Sequence, residues 1–358
     1  MIAAPLPPLR LLSSREPSAD EDGVLCAFTV QDERLRLPDF LRHHRALGVA
    51  RFLALDDRST DGTREMLLAQ PDVTVFEIDA PYQDSLGSAL WKNALLDRNA
   101  VGRWAVVIDV DELLVYPHCD RVDVNGLCAY LDSRGATCAT ATMVDMYPRD
   151  LVSVRRFQEG DRMIDACPWF DREGYQKHRR FDFPHRYLRG GSRARLFYEE
   201  PAPRWARAYM QAYRLLEAIG MQRLLPRTDV SRWEAPFLTK VSLVKWKRGM
   251  QFLASSHLLR PAARGADVTT ALLHFKFLGD FAEKVARAVE SKNYWKDSAE
   301  YHRYAAKLAE DPGFGFAYPG SARYRGPGDL VAVGLMADAP RFAVLADRER
   351  PSHTVAPA

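Results

Sequence analysis

The sequence predicts an α/β protein built on a doubly wound, mainly parallel sheet, Rossmann-like in its first half, with helical additions at the C-terminal end. Short apolar runs alternate with helix-period stretches from Val24 to Leu114, and strand–helix alternation of that kind builds parallel sheets. The composition, 47% hydrophobic and 27% charged over 358 residues, supplies enough apolar material for one sizeable domain with additions.

The elements follow in order. Residues 1–22 join prolines to the polar, acidic SSREPSADEDG and read as a loose arm. VLCAFTV (24–30) is a buried strand followed by Gln31, Asp32 and Glu33, and LPDFLRHHRALG is a helix ending at Gly48. RFLALDD (51–57) is the second strand, STDGTREMLLAQ a loop and helix closed by Pro71, and VTVFEID the third strand. The helical SALWKNALLDRNA leads into RWAVVIDVDELL (103–114), an apolar strand running into three carboxylates. Later elements are a strand at TCATATMV, a basic stretch over 176–195, a helix near RAYMQAYRLLEAI, strands at TKVSLVKW and ALLHFKFL, and a helix at FAEKVARAVESKNYW. The final RERPSHTVAPA reads as frayed.

Several function classes recede on bulk properties. A net charge of +3 gives no strong pull on nucleic acid or an anionic surface. Five cysteines, an odd number without C-x-x-C spacing, argue against a disulfide framework or structural zinc and fit a reducing cytosol. No long uncharged apolar run occurs, and Pro5, Pro7 and Pro8 interrupt the stretch a signal peptide would need. The expected location is cytoplasmic, with peripheral contact on the inner face of a membrane as an option.

Asp109, Asp111 and Glu112 fall at the carboxyl end of the fourth strand, the edge at which doubly wound sheets bind ligands. If strand geometry persists to residue 111, period-two spacing puts both aspartates on one side, where they can share Mg²⁺ or Mn²⁺. An isolated D-x-D is equally a pair of solvated or helix-capping carboxylates. A phosphatase-type nucleophile is a further rival, but that arrangement usually opens the first strand, whereas three strands precede this one. Asp56 and Asp57, after the second strand, have the acceptor chemistry for a uracil imide or ribose hydroxyls, while Ser59, Thr60 or Asp61 is free to cap the next helix.

Together these segments resemble a known family. LDDRSTDGT (55–63) is similar to the D-D-x-S-x-D-G-T signature of the family 2 glycosyltransferases, and the D-x-D of DVDE follows at the expected distance. QDERLRLPDFLRHHRALGV resembles the first β-α unit of a bacterial branch, RWAVVIDVDELL its metal strand and LLHFKF a late strand. The likeness covers residues 24–118 and, more loosely, 235–290. It departs at TVQDE, where the family often has Asn before the Glu.

The resemblance implies a GT-A fold and a metal-dependent transferase taking a sugar from a nucleotide-sugar, most often a UDP-sugar, to a glycan or lipid-phosphate-linked hydroxyl. It implies that Asp57 contacts the nucleoside with Asp56 or Glu33 nearby, and that Asp109 and Asp111 hold Mn²⁺ or Mg²⁺ on the diphosphate. A late histidine near the diphosphate points to His274 in the metal shell, with Lys276 two residues on meeting a phosphate; a satisfied core histidine is the alternative. The catalytic domain then spans 23–290, divided into a sugar-nucleotide-binding half, 23–135, and an acceptor half, 136–290, with a helical extension and tail over 291–358.

An inverting transferase needs a carboxylate to take the acceptor proton. Asp171 and Glu173, in PWFDREGY, lie between aromatics suited to stacking on a sugar; Asp145, after a strand, is a further candidate. The basic stretch from Lys177 to Arg195, with its Gly190–Gly191 pair, suits a loop that closes over a sugar diphosphate or meets an anionic acceptor, or else a solvated surface. Two other classes stay open: a non-catalytic nucleotide- or sugar-binding protein of the same fold, and a nucleic-acid binder using the 177–195 stretch, which the modest net charge disfavours. Oligomeric state is not legible.

Overall fold

The computed structural model describes residues 8–13, 23–78, 85, 88–178, 187–198, 202–218, 221–226, 228–230, 233–253, 255–291 and 295–348. In chain order their strands are β1 (Leu9–Leu11), β2 (Leu25–Val30), β3 (Arg51–Asp56), β4 (Val73–Ile78), β5 (Trp104–Val107), β6 (Glu112–Val115), β7 (Cys138–Asp145), β8 (Trp169–Asp171), β9 (Tyr175–His178), β10 (Tyr187–Gly190), β11 (Thr239–Lys245), β12 (Gln251–Phe252), β13 (Leu259–Arg260), β14 (Thr270–His274) and β15 (Ser321–Arg323). The helices are α1 (Leu37–Ala46), α2 (Thr63–Leu68), α3 (Ala89–Asn99), α4 (Val124–Ser133), α5 (Met163–Ala166), α6 (Gly191–Phe197), α7 (Arg204–Ala218), α8 (Phe281–Ser291), α9 (Trp295–Glu310), α10 (Pro327–Ala332) and α11 (Pro340–Arg348).

Nine strands make one sheet in the order β1-β4-β3-β2-β5-β11-β7-β14-β6. β4, β3, β2 and β5 are parallel neighbours. After β4 the chain returns to the other side of β2 to lay down β5, so the winding reverses between β2 and β5, which opens a crevice at their carboxyl ends. β11 runs antiparallel to β5 and β7, while β14 is parallel to β7 and antiparallel to β6. The α/β class read from the sequence is the class observed, its parallel ladder concentrated in β2–β5 and extended by a mixed second half.

Alternation along the strands shows why helices cover both faces. Cys26, Phe28 and Val30 of β2 pack with Phe52 of β3 and with Phe40 and Leu41 of α1, whereas Leu25 and Ala27 point the other way, toward Trp91 and Leu95 of α3. α1 is legible in its own sequence: Pro38 sits in the first turn, basic side chains crowd the last, and Gly48 follows with φ +88°.

Two elements differ from the sequence reading. Leu9–Leu11, inside the stretch expected to be a loose arm, pairs antiparallel with β4 at the sheet edge. The single strand expected across RWAVVIDVDELL is two: β5 stops at Val107, Asp109–Glu112 forms a turn closed by a 3.0 Å bond from the Glu112 N–H to the Asp109 carbonyl, and β6 pairs with β14 at the far edge. A continuous strand would have driven a carboxylate into an apolar layer; turning out at residue 109 avoids that burial. Among the described residues no helix is long and apolar enough to cross a membrane, and all five cysteines are free.

Candidate functional site

The carboxyl ends of β2 and β3 form one rim. The turn after β3 is stitched to the turn after β2: Thr60 N–H donates to Asp32 (2.8 Å), Asp32 N–H to Ser59 Oγ (3.0 Å) and Glu33 N–H to Thr63 Oγ1 (3.0 Å). Asp61 accepts from the Thr63 N–H at the start of α2 (2.9 Å), but the N-cap position itself is Gly62, so none of Ser59, Thr60 and Asp61 is the cap. Gly62 sits at φ +94°, a backbone conformation that strains any residue with a Cβ. Asp56 is fully buried and takes a 2.6 Å bond from Arg64, so its side chain anchors the rim and is not open to a ligand. Burial pushes the Asp57 carboxyl above its ordinary value against the opposing pull of Arg58, which bonds it at 3.0 Å. Glu33 is held by Arg36 and Lys284.

Across the crevice, Asp109 rests on two buried lysines. Lys92 of α3 donates to Oδ1 (2.6 Å), and Lys240 of β11 donates to Oδ2 (2.7 Å) and to Glu112 (2.5 Å). Burial alone would raise the Asp109 carboxyl, but Lys240 and Lys92 outweigh it and hold it well below the usual range. Neither lysine was singled out from the sequence. The available signal is a cation inside an apolar segment, Lys92 in ALWKNALL and Lys240 in TKVSLV, since lysine is almost never fully buried without a partner.

Asp111 completes the second cluster. His274, at the end of β14, places Nε2 3.2 Å from Asp111 and Nδ1 2.7 Å from Asp145, its parallel neighbour on β7. Burial alone would lower the His274 pKa; Asp111 and Asp145 reverse this and raise it, which favours the imidazolium. Arg193 of α6 bridges Asp145 (2.9 Å) and Glu300 of α9 (2.9 Å), and Glu300 also accepts from Tyr304. Against the effect of burial, Arg193 and His274 hold Asp145 down to about 2. Lys276 lies past the end of β14 rather than on its face; its Nζ stands 4.8 Å from the Tyr301 ring centre and within electrostatic reach of Asp111.

The structure therefore gathers Asp109, Asp111, His274 and Lys276 into one corner and sets Asp57, Asp56 and Glu33 on the adjoining rim. His274, without a cation, turns Nε2 to Asp111 and Nδ1 to Asp145, so it joins the two carboxylates and stands beside the Asp109–Asp111 pair. Asp171 is not available as a base: it is buried, with Arg195 bonded to both oxygens (3.0 Å each) and Tyr147 donating at 2.5 Å. Glu173, two residues on, is exposed. The basic stretch is no solvated loop where it is described. Residues 179–186 lie outside the described residues, but 187–197 form β10 and α6, whose Arg193 and Arg195 are spent on Asp145 and Asp171. Gly190, φ +119°, is obligatory there, since a Cβ would meet the Gly174 carbonyl oxygen at 2.2 Å.

The donor set fits a divalent cation. Asp109 and Asp111 expose 30% and 25% of their side chains, while Lys92, Lys240, Glu112 and Asp145 beneath them expose 4% or less. Each aspartate keeps an outward carboxylate face, an oxygen-only pair that suits Mg²⁺ or Mn²⁺ taking its remaining ligands from phosphate and water. No cluster of three or more His, Cys, Asp or Glu that could hold a metal by itself occurs among the described residues.

No protein-family model matches the chain, and no curated protein matches it. Among solved structures, a UTP-bound UGPase from Acinetobacter baumannii aligns over 90% of this chain and 97% of its own, at 10% identity and a TM-score of 0.27. Similarity at that level adds nothing to the reading of this chain.

Proposed function

We infer that the protein is a GT-A type transferase that binds a nucleotide-sugar, with a UDP-sugar as the donor, and passes the sugar to a hydroxyl of a glycan or lipid-linked acceptor. The observation that carries this reading is the partly exposed Asp109–Asp111 pair at the reversal of winding between β2 and β5, beside the Asp57 rim and above a buried layer of paired charges. Mn²⁺ or Mg²⁺ bound there would neutralise the charge that develops on a departing diphosphate.

The chain's own residues set up the remainder. The β2 and β3 turns hold the nucleoside, with Asp57 accepting hydrogen bonds from it. Lys276, held over Tyr301, faces the phosphates. Lys92, Lys240 and His274 fix the two aspartates so that no reorganisation is needed as charge moves. Glu173 takes the proton from the acceptor hydroxyl as that oxygen attacks the anomeric carbon opposite the diphosphate, giving inversion.

The test is release of UDP from a panel of UDP-sugars with Mn²⁺, comparing wild type with Asp111→Asn. Metal-dependent release that falls at least about 100-fold in the variant supports the reading. Tight UDP binding without turnover on any donor or acceptor selects the non-catalytic binding protein instead.

A further inference from the structure

α7 and the turn after it stand apart from the core by their surface. Trp205, Tyr213, Leu215, Met221 and Leu224 are all exposed, Trp205 at 53% and Leu224 at 68%, whereas the other exposed large apolar side chains, Leu68, Val101, Val152 and Val344, are scattered. Such a concentration marks an interaction surface rather than an ordinary exposed residue. Along α7, Trp205, Tyr209, Ala212, Tyr213 and Leu216 recur at helical spacing to form one stripe, and Arg204, Arg207 and Gln211 fall on the other side, with Leu215 among them. The following turn is fastened to the helix: Tyr209 donates to the Pro226 carbonyl at 2.7 Å, and Trp205 meets Trp233 edge-on at 5.2 Å.

We propose that α7 with the 221–226 turn is a docking surface for a bilayer of anionic phospholipid. Charge decides the occupant. Over residues 204–226 the sequence carries four arginines against the single Glu217, and Arg204, Arg207 and Arg223 are exposed, a balance that attracts anionic headgroups and that a second copy of the same patch would repel. Tryptophan and tyrosine beside exposed leucines, on a helix whose other face is basic, is the pattern that seats a helix in the plane of a membrane interface without crossing it. The proposal does not depend on the transferase reading.

The experiment is co-sedimentation of the full chain with phosphatidylcholine vesicles, with and without phosphatidylglycerol, for wild type, Trp205→Ser/Leu224→Ser and Arg204→Glu/Arg207→Glu. Both variants change exposed residues, and circular dichroism checks that they fold. Wild type is expected to partition onto the anionic vesicles, at least about tenfold more weakly onto phosphatidylcholine alone, with both variants losing about tenfold and added salt weakening the rest. Absence of wild-type binding, or equal binding by the variants, overturns the proposal. A concentration-dependent dimer abolished by Trp205→Ser/Leu224→Ser, with no vesicle binding, overturns it in favour of a second copy.

Discussion

Asp109 carries more of the site's logic than any other side chain, because it faces outward on one side and two buried ammonium groups on the other. Lys240 joins it to Glu112, and removing that lysine leaves the buried Glu112 without a cation and Asp109 with Lys92 alone. Lys240→Met is therefore expected to lower the unfolding free energy by about 3–5 kcal/mol in urea titrations; an unchanged midpoint would show that the lysine is not paired in solution. Asp171 and Glu173 separate by the same reasoning. Asp171→Asn strips Arg195 and Tyr147 of their shared partner and should lower the Tm by several degrees, whereas Glu173→Gln should keep the Tm and reduce kcat. The reverse pattern would return Asp171 to the chemistry. The sequence motifs announced Asp57, Asp109 and Asp111, because turn residues and spacing are local. Lys92, Lys240 and Arg193 were not legible as site residues, since each is defined by a partner far along the chain: Arg193 and Asp145 are 48 positions apart.

Within an element, α1 shows what burial does to a titratable group. His44 is fully buried; its Nδ1–H donates to the Phe40 carbonyl (2.8 Å) and its Nε2 accepts from the Leu114 N–H (3.3 Å), so the fold requires the neutral ring. Burial lowers its pKa well below 6.5, with His43 adding to the effect. A group with a depressed folded pKa binds its proton more readily in the unfolded chain. The stability it contributes is present above pH 6.5 and falls as pH drops below that value, by at most about 1.4 kcal/mol per pH unit. Urea titrations at pH 7 and pH 5 should show this loss, and His44→Gln, though less stable, should show a shallower dependence; equal slopes would contradict the assignment. Periodicity revealed α1, α3 and the four parallel strands, since burial on two faces writes itself into local pattern. It could not reveal β1, three residues amid prolines and polar residues, nor the break after Val107, where apolar character runs on through Ile108 and Val110 although pairing stops.

For the molecule as a whole, the winding order explains why dispersed motifs converge. The reversal between β2 and β5 brings the Asp57 turn opposite the Asp109 turn, and β11, β7 and β14 then deliver Lys240, Asp145 and His274 to the same edge. The C-terminal stretch joins the wall as well, with Glu300 of α9, itself bonded by Tyr304, on Arg193 and Ser321 of β15 on Tyr147. Because Asp109 already bears two ammonium groups and Asp111 faces His274, metal alone should bind weakly, and nucleotide and metal should bind together. The most direct test is calorimetric titration of UDP, with and without Mn²⁺, into wild type and an Asp109→Ala/Asp111→Ala variant. UDP binding strengthened at least about tenfold by Mn²⁺, the gain vanishing in the variant, is the predicted result; no UDP binding by wild type under either condition would contradict the central claim.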